Sequence, residues 1–219
     1  MKKILLTIGL LTAFLSNSYA EIGVNVGISG QMGLFAATGK EVDTGPNETE
    51  TNQDTEIAAV GYGSIFIEKT IGDRLTVGID YVPSALSSDT VESVKLDKTT
   101  SDTQSSKENK LKVDFEDLTT YYLALNLTEN MYVKAGYVTV DIITKENLAT
   151  GGSYADTDTD GVLFGVGYNK DFDSGMFARV EGSYMNFEGT SVTSSNSDNV
   201  AHLKSLDGVT GKISIGKSF

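Results

Sequence analysis

The chain ends on the stretch Gly208–Phe219, GVTGKISIGKSF, in which apolar and polar side chains alternate up to a terminal aromatic residue. From Val209 onward the odd positions are mostly apolar, whereas the even positions are small or polar. Successive side chains of an extended strand point to opposite faces, so a period of two residues predicts a β-strand with one apolar face. The same period recurs along the chain and decides the fold class.

Seven further segments alternate in this way, starting near Ile22, Ile57, Leu75, Leu111, Met131, Val162 and Ala178. Short turns join three pairs of segments, and long polar connections join the others, at 38–56, 83–110, 144–160 and 188–207. An even number of amphipathic strands with turns of alternating length is typical of a membrane barrel. The sequence therefore predicts an all-β, eight-stranded antiparallel up-and-down transmembrane β-barrel with short periplasmic turns and long extracellular loops. The register within the second and fourth segments stays open, because a slip of one residue would exchange their faces.

The polar face of the strands distinguishes this barrel from a soluble, lipocalin-like barrel. A lipocalin-like barrel lines its interior with apolar side chains around a ligand. Here the inward face carries charges of both signs, at Asp80, Glu116, Lys134, Arg179, Glu181 and Lys212. Unpaired charges in a narrow interior are costly, so we expect these six residues to form a hydrogen-bonded network that fills the barrel at rest.

The beginning of the chain predicts export. Two lysines precede an apolar run at 4–15, and Ala20 ends a small-residue cleavage pattern. The run is shorter than the ~20 residues that a spanning helix needs, so it predicts a signal peptide at 1–20 and a barrel domain at 21–219.

Composition narrows the classes of function. The net charge of −13 argues against nucleic acid as a partner, because phosphates would be repelled. The chain contains no cysteine, which excludes disulfides and thiolate chemistry.

The closing stretch resembles the last strand of Gram-negative outer-membrane proteins, with Val209, Ile213, Ile215 and Phe219 at the matching positions. The whole pattern resembles that of opacity-type surface proteins, outer-membrane protein X and the transmembrane domain of outer-membrane protein A. The resemblance implies a place in the cell outer membrane after passage through the periplasm. It also implies that the barrel-assembly machinery reads the closing strand and that lipids and lipopolysaccharide surround the barrel. We expect a monomer, because a closed barrel has no edge to pair.

Two patterns point weakly to other chemistry. Asp156, Asp158 and Asp160 have the spacing of half a calcium loop, but Gly167 stands where the loop needs a glutamate. His202 is the only histidine, and its neighbour Ser205 lies in a predicted loop without a catalytic motif. We therefore expect no metal, no cofactor and no enzymatic activity.

Two functions stay open. The first is a structural or surface-interaction role through the acidic extracellular loops, with an unknown extracellular partner. The alternative is a narrow, gated, porin-like channel for ions or small solutes. A channel for hydrophobic substrates is disfavoured because the predicted interior is charged.

Overall fold

The computed structural model describes residues 22–44, 49–87, 91–97, 105–147, 153–195 and 199–219. The predicted signal peptide lies outside these ranges, and within them no helix is long and apolar enough to cross a membrane. The strands are β1 (Ile22–Thr44), β2 (Thr49–Ile71), β3 (Leu75–Tyr81), β4 (Leu86–Ser87), β5 (Val91–Asp97), β6 (Ser105–Asn126), β7 (Met131–Asn147), β8 (Thr157–Asp171), β9 (Met176–Phe187), β10 (Thr190–Thr193) and β11 (Val200–Ser218).

Eight strands form a closed antiparallel ring in the order β1, β2, β3, β6, β7, β8, β9 and β11. The ring closes where β11 pairs with β1, from Ser218 opposite Asn25 to Val200 opposite Val42. The terminal Phe219 extends this ladder, since its N–H donates to the Val24 carbonyl at 2.9 Å. The predicted eight-stranded antiparallel barrel is confirmed. The short strands β4 and β5 pair with β6, and β10 pairs with β11.

Three tight turns connect β2 to β3, β6 to β7 and β8 to β9 at one end of the barrel, here called the turn end. Gly72 and Gly175 have positive φ angles of 61° and 75°. Glycine adopts this conformation without the steric cost that a β-carbon brings, so the tight reversals depend on it at these two positions.

The opposite end, the loop end, differs from the prediction. Most of the predicted loop at 38–56 is strand, because the β1–β2 ladder continues to Thr44 opposite Thr49. His202 and Ser205, predicted in a loop, lie in β11. These segments are polar on both faces, so alternation of hydrophobicity does not reveal them as strands.

An apolar belt surrounds the outside of the barrel. It consists of the exposed side chains of Val26, Ile28, Met32, Leu34, Ile65, Ile67, Leu123, Leu125, Met131, Val162, Phe164, Val166, Tyr168, Val180, Tyr184, Val209, Ile213 and Ile215. A continuous apolar exterior on an antiparallel barrel is the surface that the hydrocarbon core of a bilayer requires. In β2 the register is now clear, with Tyr62, Ser64, Phe66 and Glu68 inside the barrel.

A β-bulge changes the faces of β6. Glu116 pairs with Asp141 and Thr119 with Thr139, so β6 has one residue more than β7 between these pairs. Asp117, within the bulge, has a positive φ of 53°. An extra residue reverses the inward and outward phase of a strand on its far side. The bulge therefore removes Glu116 from the inward face on which simple alternation places it.

The wall between β2 and β3 is paired only near the turn end. Their ladder ends at Ile65 opposite Tyr81, after which Pro83 follows. Proline has no N–H to continue a ladder. From Ser64 toward the loop end, β2 is paired only with β1. Among the described residues, no strand pairs with this part of β2 on its other side.

Candidate functional site

The buried ion pair of Glu68 and Arg179 lies in the half of the interior nearest the turn end. The guanidinium binds both carboxylate oxygens of Glu68, and its Nη2 lies 2.8 Å from Oε2. Tyr122 donates its hydroxyl to Oε1 at 2.6 Å, and Asn25 donates its amide to Oε2 at 3.2 Å. Such two-point binding supported by neutral donors compensates for the loss of hydration of a buried carboxylate.

Aromatic rings surround the guanidinium of Arg179. Its Cζ lies 4.4 Å from the ring centre of Phe177 and 5.7 Å from those of Phe66 and Tyr132. Its Nε donates to the Asn169 side chain at 2.9 Å. The cation is thus held by a carboxylate, an amide and ring faces at once.

A second ion pair joins Lys134 and Glu181 in the middle of the barrel. Lys134 Nζ lies 2.5 Å from Glu181 Oε1, and both side chains are almost fully buried. Tyr132 donates to Glu181 Oε2 at 2.8 Å, and Ser183 donates to Oε1 at 3.0 Å. The Lys134 ammonium also lies 4.5 Å from the ring centre of Tyr122. Tyr122 and Tyr132 therefore connect this pair to that of Glu68 and Arg179.

A third ion pair joins Asp80 and Lys212, with both side chains buried. Beside it, the hydroxyls of Ser29 and Ser64 form a 2.5 Å hydrogen bond, and Gln31 donates to Ser64 at 3.1 Å. The middle of the barrel is therefore filled by polar side chains that satisfy one another.

An apolar plug fills the loop-end half of the interior. It comprises Tyr62, Val82, Leu118, Val138, Val140, Leu163, Met185, Phe187 and Leu206. Val138 is 0% and Val82 2% exposed. The buried ion pairs therefore lie outside the loop-end half of the interior, which is lined with aliphatic and aromatic residues.

A cavity of about 470 Å³, the turn-end cavity, opens at the turn end. Glu68 and Arg179 line its inner part, while exposed acids of the turns, Asp73 and Glu129, stand at its rim. Between the ion pairs and the apolar plug there is space of only about 10 Å³, the size of a single water molecule. The ion pairs and the apolar plug thus lie between the turn-end cavity and the loop end.

Five of the six predicted interior charges, Asp80, Lys134, Arg179, Glu181 and Lys212, come together in these contacts. Glu116 does not, because the bulge separates it from the inward face. The pKa of the Lys145 ammonium is raised above its usual value. The main cause is the hydrogen bond and charge of Asp114, and the nearby charge of Glu116 adds to it. Asp114 and Lys145 form an ion pair above the apolar belt.

The sequence prediction omitted Glu68, the acid on which the deepest ion pair depends. The alternation in β2 is blurred by apolar residues on both faces, so neither face could be assigned to the interior. The six predicted charges, three acids and three bases, already balance one another, so nothing in that set indicated a missing acid.

The predicted assembly residues lie on the outside of the closing strand. Val209, Ile213 and Ile215 are exposed within the apolar belt, and Phe219 is exposed at the turn end. The outward tyrosines Tyr81 and Tyr184 donate hydrogen bonds to Asp117 and Asp207.

The calcium candidate does not form a site. The Asp156 carboxylate accepts the backbone N–H of Thr144 at 3.0 Å, while Asp158 and Asp160 lie in the extended strand β8. A calcium loop must instead curve around the ion. No group of three or more acidic or histidine side chains in the described ranges is arranged to hold a metal ion.

His202 and Ser205 lie in β11 opposite Lys40 and Thr38 of β1, and a register shift separates the two positions. No hydrogen bond between their side chains occurs among the described residues. A base that is not in contact with its nucleophile provides no catalytic dyad.

The fold is that of known outer-membrane proteins, although no family model and no curated protein matches the sequence. The solid-state NMR structure of outer membrane protein AlkL is 16% identical and aligns over 93% of both chains, with a TM-score of 0.51. OprG from Pseudomonas aeruginosa is 13% identical over 88% of this chain and 96% of its own, with a TM-score of 0.45. Ail, the attachment invasion locus protein of Yersinia pestis, is 8% identical over 87% and 99%, with a TM-score of 0.37.

The likeness to AlkL, together with the ring of eight strands and the apolar belt, defines the class. The chain is an outer-membrane β-barrel by fold. At this level of identity the comparison defines the architecture and says nothing about activity.

Proposed function

We propose that the protein resides in the outer membrane of a Gram-negative bacterium and acts through its loop end, in a structural or surface-interaction role without enzymatic activity. The observation that carries the proposal is the filled interior. Ion pairs occupy the middle of the barrel and the apolar plug occupies the loop-end half. At the loop end, what remains available to other molecules is the sheet that extends beyond the apolar belt.

The proposal includes the partners needed to reach and occupy the membrane. Export would use the signal peptide at 1–20, and the barrel-assembly machinery would bind the closing strand with Val209, Ile213, Ile215 and Phe219. Lipids and lipopolysaccharide would contact the apolar belt. We propose a monomer in the membrane, because β1 and β11 close the ring and the net charge of −13 disfavours self-association.

Removal of the β5–β6 hairpin tests the surface role. Val91 pairs directly with Leu111, so replacing residues 92–110 by Asn-Gly should leave the barrel intact beneath a two-residue turn. We expect bacteria with this variant to lose at least tenfold in attachment to a protein-coated surface, compared with bacteria that carry the parent protein. The matched control joins Ile142 to Thr157 in the same way.

Both variants must first show the heat-dependent gel shift of a folded barrel. If attachment survives the removal of each extended hairpin in turn, including the two deleted here, the surface role is excluded. Equal loss in both variants would assign the role to the loop end as a whole.

A gated conductance is the second candidate. It is favoured because Tyr122 and Tyr132 connect the two ion pairs. Arg179 and Glu181 lie on the same inward face of β9, and Lys134 lies against Tyr122, which binds Glu68. Exchange of partners, Arg179 to Glu181 and Lys134 to Glu68, would keep each of these four charges paired. The exchange would change the middle of the barrel, while the apolar plug still blocks the loop-end half.

Single-channel recording in a planar bilayer separates the two candidates. We expect no discrete openings from the folded protein, because the exchange leaves the apolar plug in place. Openings whose frequency changes in Lys134→Gln or Arg179→Gln would assign the gate to the ion pairs and favour transport. The exposed variant Glu129→Gln provides the control for loss of a charge.

A further inference from the structure

The open edge of β2, residues 53–64 on the side facing away from β1, has not been assigned a role. The Thr55 N–H donates to the Asp54 carboxylate at 2.8 Å and so points away from β1. Backbone groups of a strand alternate between its two neighbours, so the other odd residues also direct their N–H and C=O groups to the open side. These residues include Ile57, Ala59 and Gly61.

The lower part of this edge lies at the depth of the apolar belt. Gly61 pairs with Met32, and Ala59 pairs with Leu34, and both partners are exposed belt residues. Backbone groups without a hydrogen-bonding partner are strongly disfavoured at that depth, since lipid offers none. The edge therefore favours a partner that brings backbone donors and acceptors of its own.

The upper part of the edge is accessible on both faces. Every residue from Gln53 to Ala59 is exposed. On the face continuous with the interior stand Asp54 and Glu56, whereas Ile57 stands on the outward face and is 73% exposed. A strand added here would meet carboxylates on one side and apolar groups on the other.

We propose that the open edge binds an extended segment of another protein, in which basic and apolar residues alternate, by strand addition. Backbone hydrogen bonds would supply affinity, and cross-strand pairs of lysine or arginine with Asp54 and Glu56 would supply specificity. A second copy of this chain fits poorly, because the same carboxylates would face each other. The inference deepens the proposed surface role, on which it rests, by naming the partner's chemistry.

A synthetic peptide tests the inference directly. The probe is a ten-residue peptide of alternating lysine and valine, and the protein is the full barrel in phosphatidylcholine nanodiscs. We expect saturable binding above that of empty nanodiscs. The same peptide with alternate backbone amides methylated should bind at least tenfold more weakly, because it retains the charge but loses half of its donors. A glutamate and valine peptide should not bind.

Two protein variants locate the site. Ala59→Pro removes one N–H from the open side and should weaken binding at least tenfold, with the β1–β2 ladder retained. The double variant Asp54→Asn with Glu56→Gln should weaken binding and reduce its dependence on salt. The matched control, Asp73→Asn with Glu129→Gln, removes two exposed charges at the turn end and should leave binding unchanged.

The inference is overturned if the methylated peptide binds as tightly as the parent, because charge alone would then explain the binding. It is also overturned if Ala59→Pro, shown to be folded by its gel shift, binds normally. If the parent barrel does not bind the peptide although its cell attachment depends on the hairpins, the inference alone is rejected. Normal peptide binding in a barrel whose hairpin deletions leave attachment intact would reject the proposed surface role instead.

Discussion

Replacing Glu68 by glutamine is expected to lower the free energy of unfolding by about 3 kcal/mol, the usual effect of removing one member of a buried ion pair. Glutamine has nearly the same shape but no charge, so the guanidinium of Arg179 would stay buried without a counter-ion. The two side chains are only 2% and 16% exposed, so water screens little of this loss. Urea unfolding of the barrel in lipid vesicles measures the difference.

A matched pair of variants distinguishes the loss of charge from the loss of packing. The double variant Glu68→Met with Arg179→Met removes both charges at similar volume and should recover most of the stability that Glu68→Gln loses. Glu129→Gln, at the exposed rim of the turn-end cavity, should change stability by less than about 0.5 kcal/mol. If Glu68→Gln is no less stable than Glu129→Gln, the ion pair does not stabilise the barrel.

Replacing Gly161 by alanine is expected to destabilise the β8–β9 pairing by at least about 2 kcal/mol, as in other overpacked interiors. A β-carbon at this position would lie 2.2 Å from the Asn186 carbonyl oxygen and 2.7 Å from the Phe187 Cα. Both contacts are with backbone, so no rotation of a side chain can relieve them. The fraction of refolded protein that shows the heat-dependent gel shift, followed by urea unfolding, measures the loss.

Gly182→Ala is the control for this prediction. Gly182 lies on the neighbouring strand with no atom within 4 Å of the added carbon. It faces outward, as its alternation with the buried Glu181 shows, so alanine should be tolerated within about 0.5 kcal/mol. Equal stability of the two variants would mean that the strands move apart easily at Gly161.

The sequence was sufficient to predict the ring of strands, because one apolar face recurs with a period of two wherever the barrel meets lipid. The closing strand shows this most clearly, with Val209, Ile213 and Ile215 outward and Lys212 inward. The same pattern indicated which side of β3, β7 and β9 carries the interior charges. Where the alternation is unbroken it predicts the face on which a residue lies, since alternation is a property of a single strand.

Pairing between strands could not be predicted in the same way. Asp80 and Lys212 are far apart in sequence and meet only because β3 and β11 face each other across the ring. Glu116 was assigned wrongly because a bulge adds one residue to β6 without a pattern that marks it. The extended hairpins beyond the belt were interpreted as loops because both of their faces are polar.

The unequal filling of the interior separates the permeability barrier from the surface that other molecules meet. In the proposed function the barrier would consist of buried residues within the ring, such as Val138 and Leu163, together with the interior ion pairs. If the protein has the proposed surface role, substitutions in the extended hairpins would alter what the cell surface presents and leave these interior contacts unchanged. The exterior of such a barrel could then diversify while its interior packing stays constant.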